Sequence, residues 1–198
     1  QHFTGVSMEI YPLDEAGYHA LYLAGVDGIT VYQETYDRTR YQEVHLAGKK
    51  RDYNYRYGAP ERVARAGMRQ ISMGVLLGLG DTAGDLAALY QHLRRLERAY
   101  PGVEYSLSFP RLRRIKGQAF AVDPIDDITL IRIICLSRIL FPRVGINLST
   151  REGAWLRDHA LGLGVTRISA GSSTAVGGYG LCADPDQEPQ FDVQDDRG

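Results

Sequence analysis

Short runs of β-branched and apolar residues alternate along this chain with longer segments in which apolar residues recur at helical spacing. The short runs predict six buried strands, at 7–11, 29–33, 71–77, 105–109, 144–148 and 167–170. The longer segments predict helices at 14–23, 60–66, 85–100, 127–140 and 151–161. Strict alternation of strand and helix indicates a parallel sheet with right-handed crossovers.

Three glycines mark places where a helical segment ends and a strand begins. Gly25, Gly67 and Gly164 each follow a helical stretch and precede a short apolar run. We expect each of them just after the end of a helix, where the backbone turns left-handed and only glycine escapes the steric cost of a Cβ.

The first strand-to-helix turn favours a barrel over an open dinucleotide-binding sheet. Such a sheet normally opens with a G-x-G-x-x-G turn, whereas here the segment Tyr11–Asp14 contains no glycine. The predicted fold class is therefore α/β, a partial (β/α) TIM-type barrel of about six parallel strands. A complete eight-stranded barrel takes about 250 residues, so two strands are expected to be missing. We expect residues 1–181 to form this barrel and the acidic residues 182–198 to be a truncated polar tail.

Charge and composition argue against nucleic acids and membranes as binding partners. The net charge of −1 gives no long-range attraction for nucleic acid or an anionic membrane, and no apolar run is long enough to span a bilayer. With few cysteines and no signal sequence, we expect a cytoplasmic protein. One short basic, aromatic block, residues 49–56, could contact nucleic acid, but such a block in a neutral chain is more typical of a solvated loop.

Polar and glycine residues at the predicted strand ends are the candidates for chemistry, because functional groups of parallel barrels lie there. Glu34 could accept two hydroxyl hydrogen bonds, or could simply pair with Arg38 or Arg40. The segment Gly78–Asp81 could let the backbone approach a flat ligand, or could be an ordinary tight turn. Val75 suits the core, although it could also pack on an adenine.

The ends of the fifth and sixth predicted strands carry side chains that could bind an anion. Arg151 opens a predicted helix and could grip a carboxylate with both guanidinium nitrogens, or could pair with Glu152 or Asp158. Ser169 and Ser172 lie on a glycine-rich turn and could bind an anion or serve only as turn residues.

Six ordered motifs resemble a known family. They are GITVYQETY at 28–36, KRDYNYR at 50–56, GVLLGLGD at 74–81, YSLSFPR at 105–111, NLSTRE at 147–152 and ISAGSS at 168–173. Together they resemble 2-iminoacetate synthase, a tyrosine lyase of the radical S-adenosylmethionine enzymes that acts in thiamine biosynthesis.

The resemblance implies an activity and a set of cofactors. A [4Fe-4S] cluster would cleave S-adenosylmethionine to a 5′-deoxyadenosyl radical, and tyrosine would then break at its Cα–Cβ bond to give 2-iminoacetate and p-cresol. It implies cofactor contacts at Glu34, Arg56 and Val75. It implies substrate contacts at Arg151, Ser169, Ser172 and Tyr105.

The resemblance also sets expectations about what this chain lacks and what it could contact. The family's Cys-x-x-x-Cys-x-x-Cys motif is absent, since the chain has only Cys135 and Cys182. We therefore expect a fragment without its cluster segment, inactive by itself. The thiazole synthase of the thiamine pathway is an expected partner, and exposed sheet edges favour a dimer. The alternatives are an [FeFe]-hydrogenase maturase-type tyrosine lyase and a non-catalytic ligand-binding partial barrel.

Overall fold

A computed structural model describes residues 4–112, 124–150 and 152–170. Within these residues the strands form one six-stranded sheet in the order β1-β2-β3-β4-β5-β6, and every neighbouring pair is parallel. The strands are β1 Ser7–Glu9, β2 Gly28–Thr30, β3 Gln70–Gly74, β4 Glu104–Ser108, β5 Gly145–Leu148 and β6 Arg167–Ile168. The partial parallel α/β barrel predicted from the sequence is confirmed.

Helices connect the strands on the outside of the sheet. They are α1 Glu15–Leu23, α2 Arg38–Val44, α3 Tyr53–Tyr57, α4 Ala59–Arg65, α5 Thr82–Ala99, α6 Asp127–Leu140 and α7 Ala154–Ala160. Short 3₁₀ turns lie at Lys49–Arg51 and Leu161–Leu163. No helix of the described residues is long and apolar enough to cross a membrane.

Aspartates define where most helices begin. The carboxylates of Asp14, Asp37, Asp52, Asp81 and Asp126 accept backbone N–H groups of the first helical turn. Each cap satisfies a donor that the helix itself cannot pair, and it places negative charge at the positive end of the helix dipole.

Glycines end the connecting helices as the sequence predicted. Gly25 and Gly67 follow α1 and α4 with φ values of 94° and 93°, and Gly164 follows the second 3₁₀ turn with φ 105°. This left-handed geometry is freely available only to glycine, so the helix-to-strand reversals depend on it.

The segment 38–57 contains helices that the sequence pattern did not predict. The basic block 49–56 was expected to be a solvated loop, but it forms a 3₁₀ turn and α3, with the Arg56 side chain buried. Two aspartate caps start α2 and α3, and the helices are too short to show a 3.6-residue apolar pattern. The prediction of a loop was therefore wrong, although Lys50, Arg51 and Asn54 are solvent-exposed as expected.

A polar cluster on the inner face shows that the sheet is curled. The amide nitrogen of Asn147, on β5, donates to Ser106 Oγ on β4 at 3.1 Å and to Ser72 Oγ on β3 at 2.9 Å. A side chain reaches a partner two strands away only where the sheet is concave, because neighbouring strands lie about 4.8 Å apart. The concave face therefore carries small polar groups, and the convex face packs on the helices.

The core lies between the convex face and the helices. Ile71, Met73 and Leu107 of the sheet join Leu89 and Leu93 of α5 in one buried cluster. The tail predicted at residues 182–198 lies outside the described residues, so the division at residue 181 stays a prediction.

Gly25 and Gly102 give a matched test of the helix-ending glycines. Both would hold a Cβ in open space, but only Gly25 has a left-handed φ. We expect Gly25→Ala to lower the free energy of unfolding by about 1 kcal/mol through backbone strain. Gly102→Ala should leave it unchanged or raise it slightly, as urea unfolding followed by circular dichroism would show. Equal losses in the two variants would contradict the left-handed assignment.

Candidate functional site

Glu34 lies at a bulge where the extension of β2 leaves its regular register. Thr30 pairs with Ser72, but Glu34 pairs with Val75, so the β2 side contains one more residue than the β3 side over the same span. Among the residues that the structure describes, Glu34 is the one non-glycine residue with a positive φ, at 72°. Bulges often change the direction of a side chain next to a functional site. A non-glycine residue in the left-handed backbone conformation destabilises the fold by about 1–3 kcal/mol, so its contacts must stabilise it.

Arg56 and His45 hold the Glu34 carboxylate, one on each oxygen. Arg56 Nη2 donates to Oε1 at 2.5 Å, and His45 Nε2 lies 3.0 Å from Oε2. The Glu34 side chain is 23% exposed, whereas those of Arg56 and His45 are buried. The carboxylate is therefore fixed from the protein side and open on the other.

These contacts keep Glu34 ionised. Burial acts to raise the pKa of its carboxyl, but the hydrogen bond to His45 and the charge of Arg56 outweigh burial and lower the pKa to about 2. An ionised carboxylate has about four lone-pair positions for accepting hydrogen bonds. The two protein contacts use one on each oxygen, which leaves one on each for a pair of hydroxyl donors.

Arg56 has a third, unused bonding direction. Its Nε donates to the carbonyl oxygen of Tyr32 at 2.6 Å and its Nη2 to Glu34, while its Nη1 is buried without a hydrogen-bond partner. An unpaired guanidinium N–H is costly, and Arg56 lines a small closed cavity together with Gln33 and His92.

The chain that follows Glu34 is anchored on α5. The buried carboxylate of Asp85 accepts from the Thr35 hydroxyl at 2.9 Å and from the Tyr36 backbone N–H at 2.6 Å. Burial raises the pKa of Asp85 against these hydrogen bonds, which lower it. This anchor fixes the loop on the far side of the bulge.

The glycine segment at 78–81 is an ordinary turn in this structure. Gly78 has a φ of 89°, and a Cβ on Gly80 would lie 2.8 Å from Thr35 Oγ1. Asp81 caps α5. The close approach that requires glycine at residue 80 is therefore to Thr35.

The side chains of the other predicted site residues do not join the Glu34–Arg56 pair, or they lie outside the described residues. Val75 pairs with Glu34 along the backbone, but its side chain is fully buried in the core. Ser169 follows β6 at the opposite edge of the sheet and is exposed. Arg151 and Ser172 lie outside the described residues.

Tyr105 belongs to the convex side of the sheet. Its hydroxyl donates to the carbonyl oxygens of Leu96 and Tyr100, at 3.1 and 3.3 Å, on and just after α5. Burial raises the pKa of its phenol to about 12. These contacts give Tyr105 a packing role between sheet and helix.

Two of the sequence motifs meet through an ion pair that sequence reasoning missed. Arg111, after β4, binds both carboxylate oxygens of Glu152, after β5, and also donates to Asp127 Oδ1 at 2.7 Å. Glu152 is almost completely buried. The fork-shaped pair ties two neighbouring strand ends together, and only the spatial adjacency of β4 and β5 could have identified it.

Comparisons with known proteins agree with this geometry. Residues 108–198 match the Biotin and Thiamin Synthesis associated domain. The 2-iminoacetate synthases of Salmonella typhimurium and Escherichia coli are 39% and 41% identical to this chain over 98% and 100% of it, and the chain spans 52% of each. The chain therefore spans about half the length of the curated relatives it matches.

Solved structures share the fold. The [FeFe]-hydrogenase maturase HydG from Carboxydothermus hydrogenoformans is 34% identical with a TM-score of 0.85, covering 96% of this chain and 44% of that one. Methylornithine synthase, at 17% identity, 96% of this chain, 51% of that chain and a TM-score of 0.69, shows the shared fold alone.

The curled parallel sheet is a partial α/β barrel, and the relatives to which the chain is similar are radical S-adenosylmethionine enzymes. Within that class, the chain is similar along its whole length to the 2-iminoacetate synthases.

The depressed pKa of Glu34 predicts an acid-sensitive contribution to stability. Because the folded-state pKa of about 2 lies below the ordinary value of 4.5, the contribution is complete above pH 4.5 and is lost as the pH falls through 2. The advantage of the unaltered protein over Glu34→Gln in unfolding free energy should shrink by up to about 3 kcal/mol across this window. If chemical denaturation shows that the difference in unfolding free energy between the two proteins does not change with pH, Arg56 and His45 do not lower the pKa of Glu34.

Proposed function

We propose that this chain is the larger part of the barrel of a radical S-adenosylmethionine tyrosine lyase. The full protein would cleave the Cα–Cβ bond of tyrosine to 2-iminoacetate and p-cresol in the cytoplasm, for the thiazole of thiamine. The observation that carries the proposal is the Glu34 carboxylate, which Arg56 and His45 hold by one oxygen each.

This pair fits S-adenosylmethionine by its donor and acceptor chemistry. The two unused lone-pair positions of Glu34 suit the 2′- and 3′-hydroxyls of a ribose. The guanidinium of Arg56 is proposed to bind an oxygen of the methionyl carboxylate, as the family resemblance implies. Bound there, the cofactor would supply the 5′-deoxyadenosyl group that takes a hydrogen atom from tyrosine.

The residues of this chain would bind, orient and shield the reactants. Glu34 and Arg56 would hold the cofactor at the carboxyl end of β2. The adenine is proposed to lie beside the backbone of Val75, whose side chain is buried in the core. Arg151, Ser169 and Ser172 are proposed to grip the amino-acid carboxylate of tyrosine. In the full protein, a closed barrel would keep water from a carbon radical.

The residues of this chain do not fit an iron–sulfur cluster. It contains two cysteines, Cys135 and Cys182, at a separation unlike a cluster motif. Among the described residues, no group of three or more histidine, cysteine, aspartate or glutamate side chains could hold a metal. We propose that a segment outside this chain supplies the cluster ligands.

The edges of the sheet suggest what else this half-barrel would contact. In the described residues β1 and β6 each have one neighbouring strand, so each leaves backbone groups unpaired along one side. We propose that these edges pair with the remaining strands of the full barrel or, in the isolated chain, with a second copy. The thiazole synthase of the pathway remains a proposed recipient of the product.

A maturase-type tyrosine lyase is the second candidate, since the chain also shares its fold and a third of its residues with HydG. The two functions differ in the products released after tyrosine is cleaved. The thiamine enzyme releases 2-iminoacetate, whereas the maturase converts that part of tyrosine to CO and cyanide.

The test is an anaerobic assay of the full-length protein that carries this chain. After reconstitution with iron and sulfide, we expect p-cresol and 2-iminoacetate (trapped as glyoxylate) to form from tyrosine, S-adenosylmethionine and dithionite. Formation of CO and cyanide would shift the assignment to the maturase function. Cofactor cleavage without p-cresol would refute the lyase proposal.

We also expect the 198-residue chain by itself to bind no cluster. Iron and sulfide analysis after anaerobic reconstitution should give substoichiometric values, with no absorbance typical of a [4Fe-4S] centre. The full-length protein, treated in parallel, is the control. A stoichiometric cluster on the chain alone would show that ligands within it suffice.

A further inference from the structure

We propose that His45 is a positioning residue, which fixes the rotation of the Glu34 carboxylate so that its free lone pairs meet a ribose diol. This inference rests on the proposed function, because it assumes that Glu34 receives the ribose of the cofactor. His45 matches none of the sequence motifs, and its role is visible only from its contacts.

Both ring nitrogens of His45 face acceptors. Nδ1 lies 3.0 Å from the carbonyl oxygen of Tyr41, and Nε2 lies 3.0 Å from Glu34 Oε2. A carbonyl oxygen and an ionised carboxylate can only accept, so the geometry places a proton on each nitrogen. The hydrogen bond to Glu34 is then charge-assisted, which makes it stronger and shorter than a neutral one.

The imidazole is itself held rigidly. It stacks on Tyr41, with ring centroids 4.0 Å apart and planes inclined by 20°. Tyr41 is fully buried, and its hydroxyl donates to the Lys50 carbonyl oxygen at 2.5 Å. His45 also caps the carboxyl end of α2, where the helix dipole favours a positive charge.

The contact between His45 and Oε2 determines the orientation of the Glu34 carboxylate plane. Arg56 contacts Oε1 alone, and one contact leaves the terminal torsion of a glutamate free to rotate, because that torsion is broad. A second contact at Oε2 removes this freedom and leaves one lone pair on each oxygen available in a fixed direction. A diol that must donate to both oxygens needs this arrangement.

The basic groups around the Glu34 carboxylate favour a positioning role for His45. Arg56 and Lys50 both act on Glu34 together with His45, so a single carboxylate faces three basic groups. Arg56 already provides an ion pair that would keep Glu34 ionised. The distinctive contribution of His45 is therefore the direction of Oε2, in addition to its charge.

Three substitutions separate the hydrogen bond that His45 directs at Glu34 from the packing of its ring on Tyr41. His45→Gln keeps an N–H near the position of Nε2. His45→Asn places its amide nearer to Nδ1, out of reach of Glu34. His45→Phe keeps a ring on Tyr41 without any donor.

The ligands are adenosine and 2′,3′-dideoxyadenosine, which differ only in the diol, with binding to the full-length protein measured by calorimetry. We expect His45→Asn and His45→Phe to weaken adenosine binding by about tenfold and to leave dideoxyadenosine binding unchanged. His45→Gln should recover most of the loss. A purely structural role would weaken both nucleosides equally, and that result would overturn the inference.

Glu34→Gln separates this inference from the proposed function. If the unaltered protein prefers adenosine and Glu34→Gln removes the preference, the ribose role of Glu34 stands. A full preference retained in His45→Asn and His45→Phe would then overturn the role of His45 alone. If the unaltered protein binds both nucleosides equally, the ribose role of Glu34 and the inference on His45 both fail.

Discussion

The ion pair between Glu34 and Arg56, completed by His45, joins segments that come from three different elements of the chain. Glu34 ends the extension of β2, His45 caps α2 and Arg56 lies in α3. A carboxylate residue in a left-handed backbone conformation is unfavourable by itself, so these contacts and the Asp85 anchor beyond it stabilise the bulge together. The same contacts lower the pKa of Glu34 and orient its free lone pairs.

The curl of the sheet determines what this clamp faces. Small polar side chains on the concave side, connected through Asn147, leave room that bulky branched residues fill in many barrels of this type. On the convex side, Tyr105 and the aliphatic residues of β3 and β4 pack on α5. The inner face is therefore suited to polar reactants, and the outer face carries the stability.

Local signals in the sequence were sufficient for most of the fold. The α6 bounds of 127–140 were predicted correctly because an aspartate cap and an apolar pattern both mark them, and the helix-ending glycines follow from backbone sterics alone. Five of the six predicted strands were too long, since an apolar run does not show where pairing stops, and β4 was predicted one residue too late. The bulge at Glu34 depends on register with β3, about 40 residues away, and no local pattern encodes it. For the same reason the roles of His45 and the Arg111–Glu152 pair became visible only in three dimensions.

The proposed site centres on a carboxylate whose protein contacts leave room for a diol. A crystal structure of the full-length protein with S-adenosylmethionine bound tests this most directly. We predict the ribose 2′- and 3′-oxygens within hydrogen-bonding distance of the two Glu34 carboxylate oxygens, with the Arg56 and His45 contacts retained. A ribose bound elsewhere, or a Glu34 carboxylate that leaves both partners to reach it, would contradict this assignment.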